Sequence, residues 1–185
     1  MMIETTPLSG VLLIKPDVFG DARGFFLETW NRQRYAEAGL DRDFVQDNVS
    51  LSRGGILRGL HFQNPGPQGK LVQVLKGEVF DVAVDIRVGS PTFGQWYGVT
   101  LSEENHYQLY VPENFAHGFC VTSDYALFAY KCTDFYDPSA EFSLRWDDPD
   151  IGIRWPIEAP QLSAKDRVAN LLKEFPPESL PVYQA

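Results

Sequence analysis

The alternation of hydrophobic and polar residues predicts short β-strands along most of the chain. In the run FDVAVDIR at 80–87, alternation places the apolar residues on one face of a strand and Asp81, Ala83, Asp85 and Arg87 on the other. Glycine and proline turn signals separate this run from others of similar length. Further strands are predicted at 11–14, 25–30, 56–63, 69–76, 95–101, 107–111, 117–121, 125–132 and 142–146.

About ten short strands with frequent turns predict an all-β fold, a jelly-roll β-sandwich or barrel with a few short peripheral helices. Asn31 is a candidate N-cap for a helix that ends at Gly39, and residues 161–172 predict a second short, amphipathic helix. No repeat, low-complexity tract or linker interrupts the chain. Residues 1–185 are therefore predicted to form a single domain.

The acidic composition narrows the choice of partners. The net charge is −9 and the isoelectric point is about 4.7. Both values argue against a nucleic acid or an anionic membrane as the partner. A small anionic ligand would need a pocket in which basic side chains gather.

The sequence shows no signal for export or membrane insertion. The first residues, MMIETTPLSG, lack a basic region followed by an apolar core, and no apolar run approaches the roughly 20 residues of a membrane helix. Cys120 and Cys132 are the only cysteines and make no disulfide framework. We therefore expect a cytoplasmic protein with two inert core thiols.

The three histidines do not favour a catalytic metal site. His61 has no second histidine two residues away, His106 lies in a polar turn, and only His117 stands where a metal-binding jelly roll would place a ligand. Such scattered histidines do not build the three-ligand open site of a catalytic metal. Dinucleotide, P-loop and nucleophile-elbow motifs are missing from the sequence as well.

Several polar residues stand on strands that are otherwise apolar. They are Arg58, His61, Lys70, Gln73, His117, Tyr130 and Glu141. Polar side chains that face a barrel interior are costly unless they are paired or used. Strict alternation puts Arg58 and His61 on opposite faces, so both reach one pocket only if the strand twists or bulges at Gly59.

Seven segments stand in order over nearly the whole chain: FGDARGFFLETWN, FVQDNVSLSRGGILRGLHFQ, QGKLVQVLKGEVFDVAVDIRVGSPTFGQW, PENFAHGF, YKCTDFY, RWDDPDIGIRWP and LSAKDR. Together they resemble the dTDP-4-dehydrorhamnose 3,5-epimerases, metal-free enzymes of the cupin superfamily. The resemblance implies a cupin-like jelly roll, a homodimer with exchanged N-terminal strands, and no cofactor. It also implies conversion of dTDP-4-dehydro-6-deoxy-D-glucose to dTDP-4-dehydro-L-rhamnose, by inversion at C3 and C5, in dTDP-rhamnose biosynthesis.

The resemblance assigns four catalytic roles. His61 matches the base, and a free imidazole has a pKa of about 6.5, suited to proton transfer at neutral pH. Asp166 matches the carboxylate that orients it. Tyr130 matches the acid on the opposite face of the sugar, and Lys70 matches the cation that steadies the enolate oxygen.

The resemblance also implies a set of substrate contacts. Arg58 and His117 match residues near the diphosphate and sugar, Tyr136 matches an aromatic residue that stacks on thymine, and Arg23 and Glu28 match residues that reach the partner subunit's site. The remaining implied contacts are Gln46, Asp47, Asn48, Lys70, Glu141 and Lys165.

Structural alternatives accompany these roles. Ser163 and Asp166 have the S-x-x-D spacing of a helix cap, and Tyr130 alternates with core residues. Phe142-Ser143 and Val49 depart from the family's usual residues and could alter which carbon is inverted. Three other functions therefore stay open: a single-carbon epimerase of a related sugar, a non-catalytic nucleotide-sugar-binding module, and a metal-dependent cupin.

Overall fold

Thirteen strands and two short α-helices make up the computed structural model, which describes residues 1–184. In chain order the strands are β1 (Met2–Thr5), β2 (Leu12–Lys15), β3 (Val18–Asp21), β4 (Gly24–Leu27), β5 (Gln46–Arg53), β6 (Leu57–Gln63), β7 (Lys70–Lys76), β8 (Glu78–Asp85), β9 (Trp96–Ser102), β10 (Gln108–Val111), β11 (Phe115–Val121), β12 (Tyr125–Cys132) and β13 (Glu141–Ser143). The helices are α1 (Arg32–Glu37) and α2 (Ala164–Arg167), followed by 3-10 turns at Leu172–Glu174 and Pro177–Ser179. No helix among the described residues is long and apolar enough to cross a membrane.

The strands form two antiparallel sheets that face each other. One sheet has the order β1-β2-β10-β7-β12-β5 and the other the order β13-β6-β11-β8-β9. A separate hairpin joins β3 to β4. Most neighbouring strands are far apart in the chain, as in Greek-key connections, and only the pairs β1–β2 and β8–β9 of the two described sheets are consecutive. The all-β jelly-roll prediction is confirmed.

Three apolar clusters hold the sheets in place. The largest lies between the sheets and includes Val72, Leu109, Phe119 and Phe128. A second covers the outer face of the five-stranded sheet, where the C-terminal segment packs Leu172, Phe175 and Leu180 over β6 and β8. A third packs Tyr35 of α1, Leu40 and neighbouring residues on the outer face of β2, β7 and β10.

The outer face of the other half of the six-stranded sheet stays open. There Val49 and Leu51 of β5 are 64% and 66% exposed, and Tyr125 of β12 and Leu75 of β7 are exposed as well. Strand β5 was missed from the sequence because its pattern is inverted. Its polar residues Gln46, Asn48, Ser50 and Ser52 turn towards the interior, and its apolar residues turn out.

The helix predictions had mixed outcomes. Asn31 caps α1 as predicted, since its side chain accepts a hydrogen bond from the Arg34 amide at 3.1 Å, and the chain leaves the helix at Gly39. The predicted helix at 161–172 was wrong in length, because only Ala164–Arg167 is helical. After α2, Asn170 forms a β-bridge with Leu144 and Leu172 turns into the core, so tertiary contacts end the helix early.

Candidate active site

A cavity of about 710 Å³ opens between the two sheets. It collects most of the predicted site residues from both sheets and from α2. The members on its wall are Gln46, Asn48, Arg58, His61, Lys70, His117, Tyr130, Tyr136, Glu141, Lys165 and Asp166. The fold therefore brings together residues that are separated by up to 120 positions in the chain.

His61 forms a short pair with Asp166 on one wall of this cavity. The Nε2 atom of His61 lies 2.7 Å from Oδ1 of Asp166. Because an ionised carboxylate only accepts hydrogen bonds, the shared proton belongs to Nε2, which leaves Nδ1 as the free basic nitrogen. Burial would raise the pKa of the Asp166 carboxyl, but the hydrogen bond and charge of His61, together with hydrogen bonds from Ser163 and the Gly59 backbone, outweigh burial and lower that pKa. Asp166 therefore stays ionised beside the imidazole.

The position of Asp166 depends on the start of α2. Ser163 is the N-cap, and its hydroxyl accepts a hydrogen bond from the backbone amide of Asp166 at 3.1 Å. The capping role and the pairing with His61 are therefore compatible, because one uses the backbone of Asp166 and the other its side chain.

Glu141 anchors a second polar group at the cavity rim. Its Oε2 atom accepts hydrogen bonds from Lys165 Nζ at 2.6 Å and from the Tyr136 hydroxyl at 3.1 Å. Its Oε1 atom lies 4.0 Å from Nδ1 of His61. Burial would raise the pKa of the Glu141 carboxyl, but Lys165 and His61 together lower it. The cavity therefore holds a carboxylate near each nitrogen of His61.

Tyr130 and Lys70 lie on the opposite wall, on β12 and β7 of the six-stranded sheet. Burial raises the pKa of the Tyr130 hydroxyl, so that group keeps its proton at neutral pH. Burial also lowers the pKa of the Lys70 ammonium group, an effect that nearby Cys132 and Glu141 oppose. A flat ligand between the walls would meet the imidazole of His61 on one face and the phenol of Tyr130 on the other.

Arg58 reaches the cavity through a β-bulge. The pairing of β6 with β11 shifts register between His117 and Phe119, and Gly59 has a φ of +115°. A Cβ atom on Gly59 would lie 2.7 Å from backbone atoms of β11, so glycine is required at this close approach. The bulge that allows Arg58 and His61 to reach the same pocket is therefore present at Gly59. Arg58 turns inwards, and its Nε atom donates to the Ser52 hydroxyl at 2.9 Å.

His117 belongs to a second histidine–aspartate pair, which sequence reasoning missed. Its Nε2 atom lies 2.9 Å and 3.1 Å from the two carboxylate oxygens of Asp81, and both residues are buried. Alternation in 80–87 had placed Asp81 on the less apolar face of its strand. That position could have indicated a polar partner for Asp81, but nothing in the sequence identified His117 as that partner. Ser50 was missed as well. Its buried hydroxyl faces the cavity and has no hydrogen-bond partner within residues 1–184.

Three predicted residues lie outside the cavity. Arg23 sits at the tip of the β3–β4 hairpin, where it is 89% exposed and pairs with Asp21. Glu28 pairs with Arg34 at 3.2 Å, and Asp47 points away from the cavity and pairs with Lys131 at 3.0 Å. In the described part of the chain, no three His, Cys, Asp or Glu side chains are grouped closely enough to hold a metal ion.

Known proteins of one family match this chain over most of its length. The sequence model described as dTDP-4-dehydrorhamnose 3,5-epimerase matches residues 5–174. A relative of that name from Neisseria gonorrhoeae is 59% identical, over 90% of this chain and 51% of its own, so this chain spans about half of its length. Another from Salmonella typhimurium is 55% identical, over 94% of this chain and 97% of its own.

A solved structure agrees with these sequence matches. The crystal structure of a dTDP-6-deoxy-D-glucose-3,5-epimerase from Legionella pneumophila, in complex with dTDP-4-keto-L-rhamnose, is 56% identical to this chain. It superposes with a TM-score of 0.96 and covers 99% of this chain and 98% of its own. The likeness therefore extends to the whole jelly roll.

Proposed function

This chain belongs to the dTDP-4-dehydrorhamnose 3,5-epimerase family, a family of isomerases, and from that premise we propose its reaction and its catalytic residues. It inverts C3 and C5 of dTDP-4-dehydro-6-deoxy-D-glucose and gives dTDP-4-dehydro-L-rhamnose, the step that prepares the sugar for reduction in dTDP-rhamnose biosynthesis. The whole chain acts as one epimerase domain. The observation that carries the proposal is the 2.7 Å His61–Asp166 pair, which faces Tyr130 and Lys70 across the cavity.

Each inversion begins with removal of a proton beside the C4 ketone. Nδ1 of His61 takes the proton, the electron pair of the broken C–H bond enters an enolate, and the negative charge develops on O4. Asp166 holds the imidazole by its Nε2–H and stabilises the imidazolium that forms. The Lys70 ammonium group donates a hydrogen bond to O4, and its lowered pKa makes it a better proton donor there.

Tyr130 completes the inversion at C5 from the opposite wall. Its O–H bond breaks, a new C–H bond forms on the other face of the ring, and the tyrosinate regains a proton from solvent. The raised pKa of Tyr130 supports this role, because a buried phenol holds its proton until a strong base such as a carbanion is present.

Basic residues in the cavity allow this acidic protein to bind an anionic substrate. Arg58 and His117 bind the diphosphate and the sugar, and guanidinium groups suit phosphate oxygens well. Tyr136 stacks on thymine at the rim. The other proposed contacts are Gln46, Asn48, Glu141 and Lys165, which share that wall or rim.

We further propose a homodimer with exchanged N-terminal strands. The exposed apolar face of Val49 and Leu51, and the exposed rings Phe19, Phe25 and Phe26 on the β3–β4 hairpin, support a second copy as the partner. In the dimer, Arg23 and Glu28 of one subunit reach the neighbouring site and bind the nucleotide end there, and Asp47 binds the nucleotide end as well.

Mixing two inactive variants tests the shared site. His61→Ala and Arg23→Ala subunits, unfolded and refolded together, should recover about a quarter of the wild-type rate, because one site in each mixed dimer is intact. Separate refolding of either variant is the control. No recovery in confirmed mixed dimers would show that Arg23 serves its own subunit, and wild-type activity of Arg23→Ala refolded alone would show that it serves neither site.

Solvent exchange tests the reaction itself. In deuterated water the wild-type chain should place deuterium at C3 and C5 of the product, as read by NMR with any reductase withheld. His61→Ala should slow both exchanges by about 100- to 10,000-fold while dTDP still binds. Tyr130→Phe should lose inversion at C5 more than exchange at C3. Exchange by His61→Ala at the wild-type rate would remove His61 as the base.

The same spectra separate the alternatives. Inversion at one carbon alone would identify a single-carbon epimerase, for which the unusual Ser143, directly opposite His61 in the β6–β13 pairing, is the first residue to replace. Binding of dTDP with no exchange would identify a binding module. Activity that depends on a stoichiometric metal would identify a metal-dependent cupin.

A further inference from the structure

Glu141 lies on the same face of the sheet as the proposed base. In the pairing of β6 with β13, Ser143 stands opposite His61 and Glu141 opposite Gln63. Alternation therefore directs Glu141 and His61 towards the same cavity. The two side chains approach to 4.0 Å between Oε1 of Glu141 and Nδ1 of His61.

This approach concerns the nitrogen that does the chemistry. Nε2 of His61 is engaged by Asp166 at 2.7 Å, so a substrate proton is taken up at Nδ1. On the proposed function, we infer that Glu141 is a positioning residue that acts through His61. Its free carboxylate oxygen stabilises the positive charge that forms at Nδ1, a role beyond direct contact with the substrate.

The other contacts of Glu141 keep it suited to this role. Oε2 is occupied by hydrogen bonds from Lys165 and Tyr136, which leaves Oε1 as the oxygen that faces the imidazole. These contacts also fix the carboxylate in place, so that it acts as a fixed charge and does not compete for the proton. Tyr136 and Lys165 thereby link the proposed nucleotide end of the cavity to the base.

The proton balance of the step is simple. A C–H bond of the sugar breaks, an Nδ1–H bond forms, and the electron pair remains on the enolate. The imidazolium then has a carboxylate beside each N–H, Asp166 at Nε2 and Glu141 near Nδ1. After the new C–H bond forms on the opposite face, the imidazolium returns its proton to solvent.

Several other charged or titratable groups line the same cavity as His61 and affect the charge on its imidazole. Lys165 and Asp166 come from α2, Lys70 from β7, Tyr130 from β12 and His117 from β11. Lys70 and Lys165 oppose a positive charge on His61, so the two carboxylates offset two nearby cations. Removing either carboxylate would leave the imidazolium with one carboxylate against two nearby cations.

Glu141→Gln tests the inference, because it keeps the shape and the hydrogen-bond acceptor but removes the charge. We expect kcat to fall about 10- to 100-fold, the effect of losing one close opposite charge, in addition to the rise in KM that the loss of a substrate contact brings, while the affinity for dTDP changes little. Asp150→Asn is the matched control. It removes one carboxylate from the exposed pair with Lys173, outside the cavity, and should leave both constants unchanged.

A conservative variant distinguishes the loss of charge from a loss of folded structure. Glu141→Asp retains the charge on a shorter side chain and should recover part of the kcat lost in Glu141→Gln. Nitrogen NMR of labelled histidine should show Nε2 of His61 protonated and Nδ1 bare at alkaline pH in both the wild-type chain and Glu141→Gln, which establishes that the base is intact.

Two results would overturn the inference. One is a raised KM with unchanged kcat in Glu141→Gln, which is the signature of a substrate contact alone. The other is a His61 whose Nδ1 carries the proton. Failure of the proposed function looks different, because then the wild-type chain itself would exchange no deuterium into the sugar.

Discussion

Two histidine–aspartate pairs face the same cavity, and they are built in different ways. His117 and Asp81 come from adjacent strands of one sheet, and their side chains are 8% and 0% exposed. His61 and Asp166 are 105 residues apart, and the aspartate comes from a helix of only four residues. His61 is also the more accessible histidine, with 23% of its side chain exposed.

We infer from this difference that the His117–Asp81 pair stabilises the fold, and that the His61–Asp166 pair has the catalytic role that we propose. The strands β8 and β11 pair over seven residues, so the His117–Asp81 pair cannot shift without disturbing the ladder around it. The His61–Asp166 pair depends on a single capped turn beside the cavity. We therefore expect changes at Asp81 to act mainly on folding and ligand binding, and changes at Asp166 to act mainly on turnover. Four predictions test that division, from the largest expected effect to the smallest.

Asp166→Asn should have the largest effect on the reaction. An asparagine can donate a hydrogen bond to Nε2 and so favour the wrong tautomer of His61, with the proton on Nδ1 where the base is needed. We expect kcat to fall about 1,000- to 10,000-fold, as in other dyads that lose the orienting carboxylate. Steady-state kinetics measure the loss, and thermal unfolding serves as the control. A tenfold loss or less would place Asp166 outside the catalytic dyad.

Asp81→Asn should lower the stability of the fold more than it lowers turnover. It weakens a fully buried, charge-assisted pair, so we expect a loss of about 1–3 kcal/mol in the free energy of unfolding, measured by denaturant titration. KM should rise because His117 loses its fixed orientation, while kcat stays within a few-fold of wild type. A large fall in kcat with unchanged stability would reverse the roles that we assign to the two pairs.

The two helix caps offer a smaller, matched test. Ser163→Ala and Asn31→Ala each remove one N-cap hydrogen bond and should each cost about 1 kcal/mol of stability. Only Ser163→Ala should also lower kcat, because only α2 carries a member of the dyad. Equal effects of the two variants on kcat would mean that the cap does not position Asp166.

The pH dependence of stability should give the smallest signal. The pKa of Asp166 is lowered in the folded chain, so its contribution is present above the unfolded value of about 3.9 and is lost as pH falls through the folded value. The difference in Tm between wild type and Asp166→Asn should therefore shrink below about pH 4. A difference that stays constant from pH 7 to pH 3 would contradict the lowered pKa.

Local patterns predicted much of the fold because they depend on neighbours in the chain. Alternation in 80–87 identified β8, and the polar signal at Asn31 identified the start of α1. Tertiary context overrode the pattern elsewhere. Strand β5 has a polar pattern because its polar side faces a polar cavity. The helix after Ser163 ends at Arg167 because the residues that follow pair with Leu144 and pack Leu172 into the core.

The candidate site was also only partly predictable from the sequence. The identities of His61, Tyr130 and Lys70 could be proposed from the sequence together with the family resemblance, and the cavity contains all three. Asp81 was overlooked because nothing local links it to His117. The approach of Glu141 to Nδ1 of His61 was equally invisible, since it depends on the register of an edge strand only three residues long.

The sequence by itself determined the class of fold, the alternation within its strands and the side chains available for proton transfer. These follow from spacing along the chain, which is a local property. Only the tertiary structure decided that Arg58 turns inwards at Gly59, that each cavity histidine has its own aspartate, and that β5 presents an apolar face to solvent. Strand order, register and one bulge set those distances, and they arise from contacts between residues far apart in the chain.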